Sequence, residues 1–153
     1  MSNTQILIFS KERTLQLNSL IQSLLYYSDV SQEDITVLFK DSEEISYKSL
    51  INKYSCNFHQ ERSFLTDVKN IIQNNRKQYC MFLVDDFIVR DNFSISVMES
   101  VLRSPNGITA FSLRLGSNIK DYQSPEFVTL PHSVLSWRTN KKYGKSWNYI
   151  WEL

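Results

Sequence analysis

The segment Tyr79-Cys80-Met81-Phe82-Leu83-Val84-Asp85-Asp86-Phe87-Ile88-Val89 constrains the fold of this chain more than any other. Its first six residues are apolar or aromatic, the pattern of a strand buried on both faces in the middle of a parallel sheet. The run ends at two adjacent carboxylates and then resumes as apolar sequence. Like charges side by side, flanked by core-type residues, are costly to desolvate unless a positive group lies beside them. In an open α/β sheet the end of a strand is also where ligands bind. A divalent metal carrying a phosphorylated ligand would supply the positive charge. The alternative is a polar turn after a core strand, since aspartate is common in turns. Both readings stand on this segment alone.

The rest of the chain alternates between two periods. Ile6 to Phe9 reads as a short apolar strand. Leu17, Leu20, Ile21, Leu24 and Leu25 then fall on one face of an amphipathic helix. Ile35 to Phe39 is a second strand, followed by Asp41; Tyr47, Leu50, Ile51 and Tyr54 form a second helical stripe. Cys56 to His59 reads as a third strand, and Phe64, Val68, Ile71 and Ile72 mark a third helix leading into the strand that ends at Asp85. A fourth helix is expected from Ser94 to Leu102. Ser104-Pro105-Asn106-Gly107 breaks the chain, and Ile108 to Leu113 is a fifth strand. Helices between strands in this order predict an α/β fold with a mainly parallel sheet. No repeat, low-complexity tract or linker interrupts residues 1–153, which read as a single domain.

Composition narrows the class. A chain of 153 residues can bury a full core without staples. A net charge of +1 gives no electrostatic case for nucleic acid or an anionic membrane as the main partner. No apolar stretch approaches the roughly 20 residues of a membrane span. The sequence enters its first strand without a basic-then-apolar leader, so a cytoplasmic protein is expected. Cys56 and Cys80 have no metal-type spacing and read as buried, reduced thiols.

Loop chemistry narrows it further. The three glycines, Gly107, Gly116 and Gly144, all lie far from the loop after the first strand. Dinucleotide fingerprints and P-loops need glycine there so that backbone amides reach the phosphates. No serine sits in a nucleophile elbow. Receiver domains place an acidic pair after the first strand, whereas here it follows the fourth.

Three blocks carry a family resemblance. Ile6-Leu7-Ile8-Phe9-Ser10-Lys11-Glu12-Arg13 before a Leu-rich helix resembles the start of nucleotide-sugar-dependent glycosyltransferases of the GT-A fold, most like bacterial family-2-type enzymes. Met81-Phe82-Leu83-Val84-Asp85-Asp86 resembles their Asp-x-Asp metal motif in an Asp-Asp form. Ala110 to Asn118 is similar to the strand and loop that follow that motif in short bacterial members. The resemblance spans about residues 4 to 120 and implies a three-layer α/β/α, GT-A-like fold.

The resemblance also implies roles. Ser10, Lys11 and Arg13 would cradle the nucleoside, and Asp41 would bind the base. Arg62 or Asp67 would add a base or ribose contact. Asp85 would face the ribose or a metal-bound water, and Asp86 would coordinate Mn²⁺ or Mg²⁺ bridging the diphosphate; together they form the expected metal site. Arg114 would reach the diphosphate. Phe87 departs from a strict Asp-x-Asp motif, because it stands where the second carboxylate belongs. The donor implied is a nucleoside-diphosphate sugar, a UDP-sugar first, with an unidentified acceptor.

Each role has a structural counterpart. Lys11 and Arg13 also read as solvated loop charges. Asp41 opens an acidic run that helix capping explains equally well, and Arg114 also reads as an ion-pair partner of Asp85 or Asp86. His59 and His132 are too isolated to be ligands. Trp137, Tyr143, Trp147, Tyr149 and Trp151 suit sugar stacking, but packing is the commoner use of such residues. The tail stops in core-like sequence where these transferases usually continue into an acceptor-binding half, so no catalytic base is assigned. Self-association through those aromatics, as a homodimer, is expected. The expectation is therefore a metal-dependent glycosyltransferase. The alternative is a nucleotide-sugar-binding module without independent activity, and a nucleotidyltransferase is a more distant third.

Overall fold

The computed structural model describes residues 2–41 and 47–103. Contacts within the chain divide it into two compact units, Met1–Glu99 and Ser100–Leu153, and all described residues but 100–103 belong to the first. The expected fifth strand, Arg114, His132 and the C-terminal aromatics lie outside the described residues.

Strand β1 (Thr4–Lys11) is followed by helix α1 (Thr14–Tyr27), strand β2 (Ile35–Lys40), helix α2 (Lys48–Lys53) and strand β3 (Asn57–Gln60). Helix α3 (Phe64–Asn74), strand β4 (Tyr79–Val84) and helix α4 (Ile95–Leu102) complete the described elements. The four strands form one sheet in the order β3-β2-β1-β4, and every pair is parallel. This is an α/β fold with helices on the two sides of the sheet.

Strand alternation sorts the side chains. Ile6 and Ile8 of β1, Val37 and Phe39 of β2 and Leu83 of β4 share one face with the α1 stripe Leu17, Leu20, Ile21 and Leu24. Tyr47, Leu50, Val89 and Ile95 close the same cluster. Burial of each such side chain contributes about 1.5–3 kcal/mol. Leu7 and Leu38 are buried on the opposite face. There Phe9 meets the first residue of α3, with 5.3 Å between the Phe9 and Phe64 ring centroids.

That second face departs from the expectation for β4 and α3. Phe82 is 54% exposed and Leu83 is the one buried residue of β4, because among the described residues β4 has a neighbour, β1, on one side only. No residue of α3 is buried. The strands beneath it carry Gln5, Thr36, Asn57 and His59, and these line a polar groove of about 690 Å³ beside the helix instead of an apolar bed. Ile51 of the second stripe is likewise exposed. Cys56 and Cys80 are free and half-buried rather than fully buried. Among the described residues no helix is long and apolar enough to cross a membrane.

Candidate functional site

The sheet order fixes where a ligand crevice forms. From β1 the chain steps to β2 and β3 on one side, and β4 then returns to the other side of β1. The order therefore reverses between β1 and β4, and open α/β sheets bind ligands at that point, beyond the carboxyl ends of the strands. Register pairs Phe9 with Val84, and the Asp85 amide continues the ladder to the Phe9 carbonyl at 3.1 Å. Ser10 and Asp85 are thus neighbours across the reversal.

The two carboxylates part company at a tight turn. The Phe87 amide donates to the Val84 carbonyl at 3.1 Å, which makes Asp85 and Asp86 the central residues of the turn. Asp85 is buried. Its Oδ2 accepts from the Ser10 hydroxyl at 2.9 Å and from the Lys11 amide at 3.2 Å. The Asp86 side chain is 60% exposed. Phe87 packs against the core cluster, so the position that a strict Asp-x-Asp motif reserves for a carboxylate is apolar here for packing reasons. The polar turn is thus present, and it leaves the Asp86 carboxylate exposed beside the buried Asp85.

One cation serves both acids. Arg13 Nη1 lies 3.6 Å from Asp85 Oδ1 and 3.7 Å from Asp86 Oδ2. The loop that carries it bends at Glu12, whose φ of 56° is in the left-handed region, which is costly for a side-chain-bearing residue. The Lys11 amide, at the end of β1, points to Asp85, while the Glu12 amide bonds the Lys40 carbonyl at 3.2 Å. Beneath the loop, the buried Tyr47 hydroxyl bonds the Ser10 hydroxyl at 2.9 Å and accepts from the Arg13 amide at 3.3 Å. Tyr47 stacks on Phe39 with centroids 4.4 Å apart. The sequence singled out neither Glu12 nor the Tyr47 hydroxyl. A tyrosine in a core-facing helical stripe was the available signal for the latter, since a buried phenol needs a partner.

The remaining candidates fall elsewhere. Asp41 follows β2 at the same carboxyl edge, and its Oδ1 is the one buried side-chain polar atom among the described residues without a hydrogen-bond partner. Tyr47, not Asp41, is the N-cap of α2. Asp67 Oδ2 accepts from the Arg62 and Ser63 amides at 2.7 and 2.8 Å, closing the start of α3. Those two backbone bonds, Ser63 first, hold the Asp67 carboxyl below its ordinary range. Arg62 and Asp67 line the groove beside α3, and no hydrogen bond or ion pair joins them to Asp85 or Asp86.

A divalent cation is compatible with this donor set. Asp85 Oδ1 and Asp86 Oδ2 each lie beside the same Arg13 nitrogen, and Mg²⁺ commonly takes one or two carboxylates plus phosphate oxygens and waters. No group of three or more His, Cys, Asp or Glu that could hold a metal occurs among the described residues. A site here would be completed by ligand and water.

Fold and site together define an open parallel α/β domain with a carboxylate-based polar site at its topological switch point. Over 97% of its length the chain is similar to the bifunctional glycosyltransferase pgtA of Dictyostelium discoideum, at 27% identity over 175 aligned positions. The chain spans 23% of that protein's length. No protein-family model matches the chain, and no solved structure matches it significantly.

Proposed function

We propose that this chain is a glycosyltransferase whose described part binds a nucleoside-diphosphate sugar, a UDP-sugar first, with Mn²⁺ or Mg²⁺. The observation that carries the reading is the placement of the buried Asp85 and the exposed Asp86 at the reversal between β1 and β4. The similarity to a glycosyltransferase over nearly the whole chain supports the same class. In this reading Ser10, Lys11 and Arg13 border the nucleotide, and the unsatisfied Asp41 Oδ1 accepts a hydrogen bond from the base. Arg62, after β3 at the same edge of the sheet, is a further contact. Asp67 is committed to the start of α3 and is left out.

Asp85 and Asp86 would hold the cation. When bound, it would act as a Lewis acid that stabilises the leaving diphosphate. The chain's own residues orient the donor: Ser10 and the Lys11 amide keep Asp85 in place, and the Tyr47 hydroxyl ties the Ser10 side chain to the Arg13 backbone. A second reading is a nucleotide-sugar-binding module that works with other segments or partners. It draws on the share of the relative that the chain spans, 23%.

Calorimetric titration of UDP, GDP and ADP, with and without Mn²⁺, into wild type and Asp86→Asn tests the binding function. Metal-enhanced affinity for one diphosphate in wild type, lost in Asp86→Asn, is expected. Equal affinity in all conditions would sink the metal role. Product analysis with the matching sugar donor then separates the transferase from the binding module.

A further inference from the structure

We propose that Arg13 is a resident counter-ion that holds the place of the divalent cation in the free protein and has to leave Asp85 and Asp86 before the cation binds. This rests on the reading above, in which the pair takes Mn²⁺ or Mg²⁺ together with a nucleoside diphosphate. The two acids present one oxygen each to a single guanidinium nitrogen, at 3.6 and 3.7 Å. Asp85 Oδ2 is already taken by the Ser10 hydroxyl and the Lys11 amide, so the Asp85 oxygen left for a metal is Oδ1, the one that faces Arg13. A cation held by both acids would need Asp85 Oδ1, the oxygen that Arg13 approaches here. A divalent cation and the guanidinium beside the same oxygen would repel each other.

Arg13 is built to move. Both its ion-pair distances exceed hydrogen-bond length, and its side chain is 53% exposed. Its backbone, by contrast, is held by the Tyr47 hydroxyl and the Glu12 bend. The side chain can swing while the loop stays. A released guanidinium presents a planar fork of donors that suits a diphosphate better than any neutral group. The anion therefore draws Arg13 off the acids as the cation enters. Free metal is resisted and the metal–diphosphate pair is welcomed, a coupling that must be reciprocal between the two ligands.

The test is Mn²⁺ titration by calorimetry into wild type, Arg13→Gln, Arg13→Ala and Arg13→Lys, each with and without saturating UDP, with melting curves run alongside. Arg13 makes no side-chain cap on α1, so the neutral variants are expected to fold. Without UDP, both neutral variants should bind Mn²⁺ about fivefold more tightly than wild type, the scale of a half-exposed ion pair. Arg13→Lys should stay near wild type. The gain in Mn²⁺ affinity on adding UDP should be smaller in the neutral variants. If they bind Mn²⁺ no better than wild type while Asp86→Asn abolishes that binding, the counter-ion role is overturned and the metal site survives. If no variant binds Mn²⁺ with or without UDP, both fall.

Discussion

The Ser10 hydroxyl donates a 2.9 Å hydrogen bond to Asp85 Oδ2, and both residues are buried. This bond ties the ends of β1 and β4 together across the point where the strand order reverses. Asp85 is consequently a fixed acceptor of the scaffold, whereas Asp86, one residue on, is exposed and, among the described residues, pairs with Arg13. Two adjacent aspartates thus have different duties. The repulsion expected of the pair is offset by the guanidinium that approaches both.

Substitutions should separate those duties. Asp85→Asn keeps the size of the side chain but loses the charge that pairs with Arg13 and turns one oxygen into a donor, so it is expected to cost about 1–3 kcal/mol. Asp86→Asn should change stability by no more than about 0.5 kcal/mol, as exposed substitutions do. Urea denaturation of both variants reads this directly. Equal losses would show that the turn needs both charges.

Tyr47→Phe removes the hydroxyl that joins the Ser10 side chain to the Arg13 backbone but keeps the stacking on Phe39. A loss of about 1 kcal/mol is expected, the net worth of a neutral hydrogen bond. The stronger consequence should be functional. UDP affinity in the presence of Mn²⁺ should fall more than stability does, because the loop that carries Lys11 and Arg13 loses its anchor. Parallel melting and calorimetry distinguish the two, and unchanged affinity would confine Tyr47 to the core.

The period changes of the sequence located all four described strands and all four helices, because each apolar stripe meets a matching one: the α1 stripe lies on Ile6, Ile8 and Val37. The α3 stripe meets a mixed surface, with Phe64 on Phe9 but polar residues beside it. Phe64, Val68, Ile71 and Ile72 are apolar at helical spacing, yet the sheet face beneath also carries Gln5, Thr36 and His59, and no single-segment pattern reports what lies opposite. Of the candidate site residues, Asp85, Ser10 and Arg13, which the structure brings together, could be named from the sequence because strand ends and charged loops are local features. Glu12 and the Tyr47 hydroxyl could not be, since a left-handed backbone and a contact spanning 34 residues or more exist only after folding. Asp67, named with Arg62 as a candidate ligand contact, also closes the start of α3, a local contact that the Ser63-to-Asp67 spacing allows.

Burial pushes the thiols of Cys56 and Cys80 up to about 11 from an ordinary 9.0. The native thiols are therefore expected to alkylate slowly at pH 8, where about one in a thousand is thiolate. Linkage gives the sign for stability: the unfolded chain releases these protons near 9 and the folded one near 11. Their contribution is complete below pH 9 and is lost as pH rises towards 11. Iodoacetamide labelling followed by mass, with and without urea, checks the first point, and rapid labelling of native protein would contradict it.

The last prediction concerns Asp67. Its carboxylate accepts from the Ser63 and Arg62 amides, and those bonds, the Ser63 one largest, lower its pKa below the ordinary 3.8. A depressed folded pKa stabilises above the unfolded value and is lost as pH falls through the folded one. Protection of the Arg62 and Ser63 amides should therefore hold at pH 7 and decline in acid below about pH 4. Asp67→Asn should lower that protection at neutral pH and flatten its acid dependence, since a neutral amide oxygen is the weaker acceptor and loses its favourable interaction with the α3 N-terminus. Hydrogen exchange by NMR at the two amides measures both effects. UDP affinity is expected to stay within about twofold of wild type, the scale of a change at an exposed position outside the contact set. Unchanged amide protection together with a large loss of UDP affinity would reverse the assignment and return Asp67 to the ligand.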